Sequence, residues 1–324
     1  MPLTNFPNGV TSFGIPMVMP GVPIPNVNGK VLFVDGTYGA DGNKGTDPKL
    51  ALSTIARAIA LANPGDTIFV FPKVMAATDT DPGSYAESVT IDVPQVSLLG
   101  VARGRTQGGL PQLKVGTTTT SPIITVAAPA VLIANVGVNG AGATGGGILF
   151  DDDGGATGSS FGGAVTNCHF KNCKGSTATN AATGGAVQLS GAPFQIYIGK
   201  NRFYNNVGGI VLLDTSNAVP QDVVIEGNRF GGEAASTDVD IYGAGGSGFG
   251  VGLTIFRNVF EEKPALGSAS TARWMDLTGA DGGIVAGNFF GEDLTHGSAG
   301  TGSFIPATVN FSGNYDAGGL ATTA

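Results

Sequence analysis

The chain has 324 residues, of which 54 are glycine, 42% are hydrophobic and only 12% are charged. Glycine at this level without a three-residue period excludes collagen, and the hydrophobic content excludes a chain too polar to fold. The formal net charge of −8 argues against DNA, RNA or an anionic membrane as the main ligand, since each needs a basic surface. Anionic polysaccharides are only weakly disfavoured, because a local basic groove is compatible with a negative total.

The first 29 residues hold six prolines and no lysine or arginine. Proline blocks helix formation and hinders β-sheet pairing, while the segment is too apolar for a solvated tail. We therefore predict an extended arm that docks along its own body, on a neighbouring subunit or on another protein. Because no basic n-region is present, we predict no secretory signal and expect assembly in the cytosol of the producing cell. The side chains predicted to anchor the arm are Leu3, Phe6, Phe13, Ile15, Met17 and Met19.

Residues 30–100 follow a recognisable order of elements. A strand at Lys30–Asp35 leads into a turn-rich segment, and apolar residues then recur at helical spacing between Leu50 and Ala62. The Asn-Pro-Gly sequence that begins at Asn63 stops this predicted helix. Three further strands are predicted at 66–72, 83–91 and 96–100.

This order resembles the N-terminal cap of right-handed parallel β-helix proteins of the pectate-lyase-like family. In that family a strand, an Asp- and Gly-rich turn, an amphipathic helix, a Pro-Gly-Asp-Thr-Ile strand and a Tyr-x-Glu coil follow one another. The resemblance covers residues 31–100 and implies that the helix shields the open end of the first coil. The matching residues are Asp35, Gly39, Asp41, Gly42, Gly45, Pro64, Gly65, Asp66, Thr67, Ile68, Tyr85 and Glu87.

A short apolar strand that closes with Asn-x-aromatic recurs in the second half of the chain. Its asparagines fall at positions 167, 201, 228, 258, 288 and 314, so the repeat is near 30 residues. A repeat of this length is one supersecondary unit that must stack, which predicts about eight coils over residues 85–316. We predict that the asparagines tolerate a left-handed turn and hydrogen-bond from coil to coil, while the phenylalanines stack inside. The predicted ladder comprises Asn201, Asn228, Asn258 and Asn288.

The sequence therefore predicts an all-β fold, a single right-handed parallel β-helix with an N-terminal capping helix and an extended N-terminal arm. Cys168 and Cys173 are predicted to be small core residues, not a disulfide or a zinc site, and no cofactor is predicted. The predicted segments are the arm at 1–29, the cap and first coils at 30–100, further coils at 101–316 and a frayed tail at 317–324.

Lyase chemistry needs carboxylates that hold calcium and a basic residue that removes a sugar proton. Asp151, Asp152 and Asp153 could supply the carboxylates, although this run is also typical of a solvated loop, so they are weak metal candidates. Arg202 and Arg229 hold equivalent places in successive coils and are predicted to align on one face.

Two other enzyme chemistries find less support. A glycosidase needs two facing carboxylates, and an esterase needs a histidine base beside a nucleophile. The chain has two histidines, His169 and His296, in unrelated contexts. Carboxylates predicted to lie on strands, which the sequence alone does not pair, are Asp214, Glu226, Asp238, Asp240 and Asp276.

The opening sequence MPLTNFPNGVTSFGIP resembles the start of virion-associated proteins of tailed bacteriophages. The resemblance implies a virion structural protein that is assembled in the host cytoplasm. We favour a capsid decoration (cement) protein over a tailspike, because the chain ends soon after the predicted β-helix and shows no convincing catalytic constellation. The expected partners are the major capsid protein or other virion proteins and two further copies in a homotrimer, with no nucleic acid and no membrane.

Two alternatives remain open at this point. One is a tailspike or another polysaccharide-degrading enzyme, lyase or glycosidase, on the same scaffold. The other is a glycan-binding adhesin without catalysis. A glycan partner is compatible with the sequence, but a single tryptophan and six tyrosines give it little support.

Overall fold

The computed structural model describes residues 11–12, 15–16, 29–74, 83–101, 109–116, 120–141, 144–152, 160–175, 184–213, 219–232, 238–243, 252–261, 273–291, 305–316 and 319–321. Outside these ranges lie Leu3, Phe6, Phe13, Met17, Met19 and Asp153, and also Asp214 and His296. Helices in the described ranges are the 3₁₀ turn Pro48–Leu50 and α1 at Ile55–Leu61. Neither is long and apolar enough to cross a membrane.

The remaining elements are strands, and they form three long sheets that we call faces one, two and three. Face one contains Val31–Val34, Thr67–Val70, Ser97–Gly100, Leu132–Ala134, Ala164–Thr166, Tyr197–Gly199, Val224–Glu226, Thr254–Phe256, Ile284–Ala286 and Asn310–Ser312. Face two contains Ser84–Ala86, Gln112–Lys114, Gly137–Asn139, His169–Lys171, Arg202–Tyr204, Arg229–Gly231, Val259–Phe260, Phe289–Phe290, Asn314–Asp316 and Gly319–Ala321. Face three contains Val89–Ile91, Ile124–Val126, Ile148–Asp152, Val187–Gly191, Gly208–Leu213, Val239–Tyr242 and Arg273–Asp276.

From Thr67 to Asp276 the chain visits faces one, two and three in turn, and each circuit makes one coil. Every strand pairs in parallel with the equivalent strands of the coils before and after it, as in the register of Ile198 with Ile225. Equivalent residues therefore form straight columns along the stack. Since side chains alternate across a strand, each column faces either the core or the outside.

The core of face two is a continuous column of phenylalanines. Ring centroids of successive members lie 5.0, 4.7, 4.9 and 4.9 Å apart, and the ring planes are nearly parallel. These distances match the spacing between hydrogen-bonded strands, so the parallel register itself imposes the stacking. The members are Phe170, Phe203, Phe230, Phe260 and Phe290.

The asparagines form a buried hydrogen-bonded ladder beside this column. The side chain of Asn228 donates to the side-chain oxygen of Asn258 at 3.0 Å and to the carbonyl of Ile198 at 2.9 Å. The same Asn258 oxygen also accepts the backbone N–H of Asn228 at 2.9 Å. Each amide thus satisfies backbone groups of its neighbours that the turn would otherwise leave buried and unpaired.

The sequence pattern predicts that the ladder asparagine takes the left-handed conformation in this turn. The structure shows that another residue does. Positive φ angles fall on the residue before it, for example Lys200 at 59° and Gly227 at 65°. In the preceding coil Asn167 takes that left-handed position, with a φ of 53°. Cys168 occupies the ladder position there, and its backbone N–H donates to Asn201 at 2.9 Å. The asparagines are therefore required for hydrogen bonding and not for backbone conformation.

Helix α1 covers the first coil and begins later than the apolar spacing predicts. Leu52 is held in an extended conformation, because its backbone N–H donates to Phe33 at 2.8 Å and its carbonyl accepts from Asp35 at 2.8 Å. Thr54 is the N-cap, and its hydroxyl accepts the N–H of Arg57 at 3.2 Å. Tertiary pairing with the first strand therefore overrides the helical pattern before Thr54.

The Tyr-x-Glu motif fixes this cap to the coils. Glu87 accepts the exposed N–H groups of Ile55 and Ala56 at the start of α1, at 3.2 and 2.9 Å. The hydroxyl of Tyr85 accepts the N–H of Gly36 at 2.9 Å and donates to the carbonyl of Phe71 at 2.7 Å. Burial raises the pKa of Tyr85 well above its usual range. Both side chains thus serve the fold.

The two ends of the chain carry antiparallel strands. In the arm, Thr11–Ser12 pairs with Ile15–Pro16, and neither pairs with a strand of the three faces in the described residues. Gly319–Ala321 turns back onto Asn314–Asp316, so the segment predicted to be a frayed tail contains an ordered strand. This strand pairs with backbone groups at the last edge of face two, which would otherwise remain open.

Candidate functional site

The outside of face two brings basic residues from several coils into register. His169 lies opposite Arg202, and Arg202 lies opposite Arg229 in the next coil. The predicted alignment of the two arginines is therefore confirmed. Lys171 shares the strand of His169 and lies opposite Tyr204, but it is only 7% exposed. We call the set His169, Lys171, Arg202, Tyr204 and Arg229 the basic patch.

The pKa of the histidine in this patch is shifted by its surroundings. His169 is only 6% exposed, and its pKa is lowered to about 4, chiefly by burial. The charges of Arg202 and Lys171 contribute to this lowering, because positive charges nearby disfavour the imidazolium form. His169 is therefore neutral near pH 7, and the patch carries its positive charge on the lysine and the arginines.

One arginine of the patch is paired. The Nε of Arg229 lies 2.6 Å from a carboxylate oxygen of Glu261, which belongs to the following coil. Both side chains are substantially exposed, so solvent screens the pair and its contribution to stability is small. Arg202 is exposed, and no salt bridge to it is found among the described residues.

Aromatic rings extend the same outer surface. Tyr204 is 46% exposed, and its ring lies against the position where a Cβ on Gly232 would sit, so the absence of a side chain there accommodates the ring. Phe289 is 47% exposed and lies in register with the exposed Tyr315 at the C-terminal end of the face. Flat exposed rings next to cations are suited to stacking against sugars or other planar groups.

The predicted carboxylates that the structure describes lie on faces one and three, and the basic patch lies on face two. Glu226 lies on face one, where it accepts a hydrogen bond from Tyr197. Asp240 lies within a strand of face three and is buried, as is Asp238 beside it. Asp276, at the end of the next face-three strand, is held by Arg273 at 2.7 Å.

The aspartate run does not form a loop at its start. Asp151 and Asp152 extend a strand of face three, opposite Ser190 and Gly191. Within the part of the chain that the structure describes, no group of three or more His, Cys, Asp or Glu side chains could hold a metal ion. A metal at this run therefore remains a sequence prediction whose third residue, Asp153, lies outside the described ranges.

The two cysteines belong to the turns and not to a reactive site. Cys168 and Cys173 are fully buried free thiols, and burial raises the pKa of each to about 12. The backbone N–H of Cys173 donates to Asn206 at 2.9 Å, just as Cys168 donates to Asn201. Each thiol therefore sits where a turn ladder begins.

Comparison with known proteins bears on the fold. No protein-family model matches the chain, and no curated protein sequence matches it. Among solved structures, a GH136 lacto-N-biosidase from Eubacterium ramulus is similar with a TM-score of 0.50 and 12% identity, over 90% of this chain and 56% of that one. This chain is a right-handed parallel β-helix. The predicted fold class is thereby confirmed, including the capping helix.

Two further similarities are weaker in geometry. Pectate lyase Pel9A aligns with a TM-score of 0.46 and 11% identity, over 91% of this chain and 82% of that one. Pectin methylesterase PemA from Erwinia chrysanthemi aligns with a TM-score of 0.43 and 13% identity, over 90% and 91% of the two chains. At these identities the likeness concerns the β-helix alone, so function has to be argued from the outer faces.

The basic patch combines residues that the sequence had singled out with residues it had not. The repeat places Arg202 and Arg229 at equivalent positions of successive coils. Lys171 and Tyr204 are not among the predicted site residues. Both follow the buried phenylalanine of their repeat by one position, so the repeat register was the signal that would have found them. Chemically, the patch can bind anions and stack planar groups, and the carboxylate that contacts it, Glu261, is paired with Arg229.

Proposed function

We propose that this β-helix is a structural protein of a bacteriophage virion, a trimeric capsid decoration protein held to the shell by its arm. The observation that carries the proposal is the strand pairing within the arm. The arm strands Thr11–Ser12 and Ile15–Pro16 pair only with each other among the described residues, while the body closes its own first coil with α1. An uncharged, proline-rich arm outside the sheets is suited to docking on another protein.

The proposed mechanism is mechanical. Apolar side chains of residues 1–29 are buried on neighbouring shell subunits, and the β-helix projects above them. Three arms in one trimer act together, so modest individual contacts give durable attachment. The described residues support this proposal over catalysis, because Glu226 lies on face one, Asp240 and Asp276 lie on face three, and His169 on face two is buried.

The first test is quantitative mass spectrometry of purified virions from the source lysate. A copy number comparable to that of the major shell protein is the expected result. A few copies per particle would replace decoration by a tailspike, and absence from the particles would refute a virion role.

A second experiment isolates the arm. The full chain and a variant lacking residues 1–28 are compared for co-sedimentation with shells stripped of this protein. We expect the truncated chain to keep its thermal unfolding curve and to lose binding at least tenfold. Normal binding by the folded truncated chain would contradict anchoring through the arm.

A second candidate function is recognition of an acidic glycan by the basic patch without cleavage. The specific observation that favours it is the register of the exposed Arg202 and Arg229 beside the exposed ring of Tyr204, on a chain that is acidic as a whole. A local positive field of this kind concentrates anionic ligands, and stacking adds contact area.

Polygalacturonate and a neutral galactan are suitable probes for this candidate. The double variant Arg202→Ala, Arg229→Ala should bind polygalacturonate at least tenfold more weakly than the parent chain, and galactan equally. Arg57→Ala, which removes an exposed charge from α1, is the matched control and should leave binding unchanged. Equal losses in the control, or no binding by the parent chain, would remove this candidate.

A further inference from the structure

The outside of face one is chemically unlike the outside of face two. In seven successive strands of face one, the first residue faces outward. These seven residues form a straight column, because each is paired in register with the next. These residues are half-buried or exposed, and Ile284 is 49% exposed. We call this column the neutral stripe; it consists of Leu132, Ala164, Tyr197, Val224, Thr254, Ile284 and Asn310.

No residue of the neutral stripe is charged. Across all ten strands of face one, the outward positions hold a single charge, Glu226, and the hydroxyl of Tyr197 is hydrogen-bonded to it. Near the C-terminal end the ring of Phe256 adds apolar surface beside the stripe, with Arg257 stacked over it at 4.6 Å. An outward sheet surface whose ten strands carry a single charge indicates a protein contact.

We propose that the neutral stripe is the surface through which copies of this chain associate side by side, with their stacking axes parallel. The stripe is straight and about 29 Å long, at about 4.8 Å per coil. A second copy presents a surface of the same length, straightness and spacing between residues.

Charge also selects this occupant. Around a symmetry axis parallel to the stack, the residues of the axial column meet their own copies in the partner subunits. A neutral apolar column tolerates that arrangement, whereas the column of His169, Arg202 and Arg229 on face two would set like charges against each other. Face one is therefore the face that can line the axis, and face two points outward.

The stripe alone does not account for a stable interface. A strip of this length and one strand wide covers on the order of 300 Å² per subunit, less than the about 800 Å² typical of a specific complex. The flanks must contribute, as they do when each subunit of a trimer contacts two others. The inference rests on the proposed function only for the number three; the contact itself follows from face one and does not require a virion.

The test uses the full chain and its oligomeric mass by light scattering, between about 1 and 100 μM. The expected mass is three times the chain mass of 32.3 kDa. Val224→Lys adds a charge to the stripe and should weaken association at least tenfold. Tyr204→Lys, at an exposed position of face two, is the control and should leave the mass unchanged.

Disulfide crosslinking of a cysteine variant tests directly whether the neutral stripe lies at the contact between subunits. Since Cys168 and Cys173 are buried with pKa values near 12, the thiol introduced by Thr254→Cys is the reactive one. Mild oxidation should give a disulfide-linked dimer from Thr254→Cys and none from Tyr204→Cys, because only the stripe residue meets its own copy.

Three results would overturn the inference. The parent chain could be monomeric throughout the concentration range, which would leave the virion proposal standing. Val224→Lys could keep the parent mass while remaining folded, as judged by its thermal unfolding curve. Deletion of residues 1–28 could abolish association while both lysine variants leave it intact, which would assign the contact to the arm.

Discussion

Faces one and two share one interior and differ on the outside. Both place an apolar residue of every coil in a core column, Ile225 on face one and Phe230 on face two in the same coil. On the outside, face one avoids charge while face two collects Lys171, Arg202 and Arg229. Parallel register stacks the equivalent residues of successive coils. A residue type that recurs at one outward position therefore forms a continuous surface along the stack. The stack constrains the interior, and function is free to differ from face to face.

The contrast between the interior and the exterior is tested by replacing one inward-facing and one outward-facing phenylalanine of face two by alanine. Phe230→Ala should lower the free energy of unfolding by about 4 kcal/mol, because it opens a cavity in the ring column. Phe289→Ala, whose ring is about half exposed, should cost less than about 1 kcal/mol. Denaturant unfolding measures both. Similar costs would mean that the column is not the principal core of face two.

The ladder offers a second comparison between buried and exposed side chains of the same type. Asn258→Ala leaves the N–H of Asn228 and the carbonyl of Ile225 without their partners in the core. We expect a loss of about 3 kcal/mol, since each unsatisfied buried group costs about 1–3 kcal/mol. Asn310→Ala, on the exposed end of face one, should be neutral within about 0.5 kcal/mol. Equal unfolding midpoints for the two variants would contradict a stabilising ladder.

The basic patch makes stability depend on pH. The pKa of His169 is about 4 in the folded chain and near 6.5 when unfolded, so the folded state favours the neutral ring. Its contribution is complete above about pH 6.5 and is lost as the pH falls towards 4, by about 2–3 kcal/mol.

Thermal unfolding of the parent chain and of His169→Asn between pH 7 and 4.5 measures this contribution. The difference between the two chains should shrink as the pH falls, because only the parent must bury an imidazole that the unfolded chain protonates. A difference that stays constant across this range would show that His169 titrates normally.

The smallest effect is expected for the exposed ion pair of face two. Arg229→Ala removes the contact with Glu261, and the free energy of unfolding should change by less than about 0.5 kcal/mol, because both groups are solvated. The same substitution should weaken polygalacturonate binding if the patch is a glycan site. A large loss of stability would instead assign Arg229 a structural role.

The cap and the repeat were largely accessible from sequence, because both depend on local chemistry repeated at fixed intervals. Asp35, Tyr85 and Glu87 stand in a recognisable order, and Asn228 and Asn258 stand at equal distances from their phenylalanines. Local pattern was misleading where a tertiary partner competed, as at Leu52, which pairs with the first strand instead of joining α1. The left-handed turn was also assigned one residue too late.

The sequence by itself determined that short strands repeat every 30 residues or so, that asparagine and phenylalanine close each repeat, and that the stack is capped by a helix. Spacing carries this information because a coil has a nearly fixed length. Only the tertiary structure decided which outward residues become neighbours, since Arg202 and Arg229 are 27 positions apart and meet through the register of two parallel strands. It also placed Glu226 on face one and Asp240 on face three and aligned the neutral stripe, because a shift of one residue reverses which side of a sheet a side chain occupies.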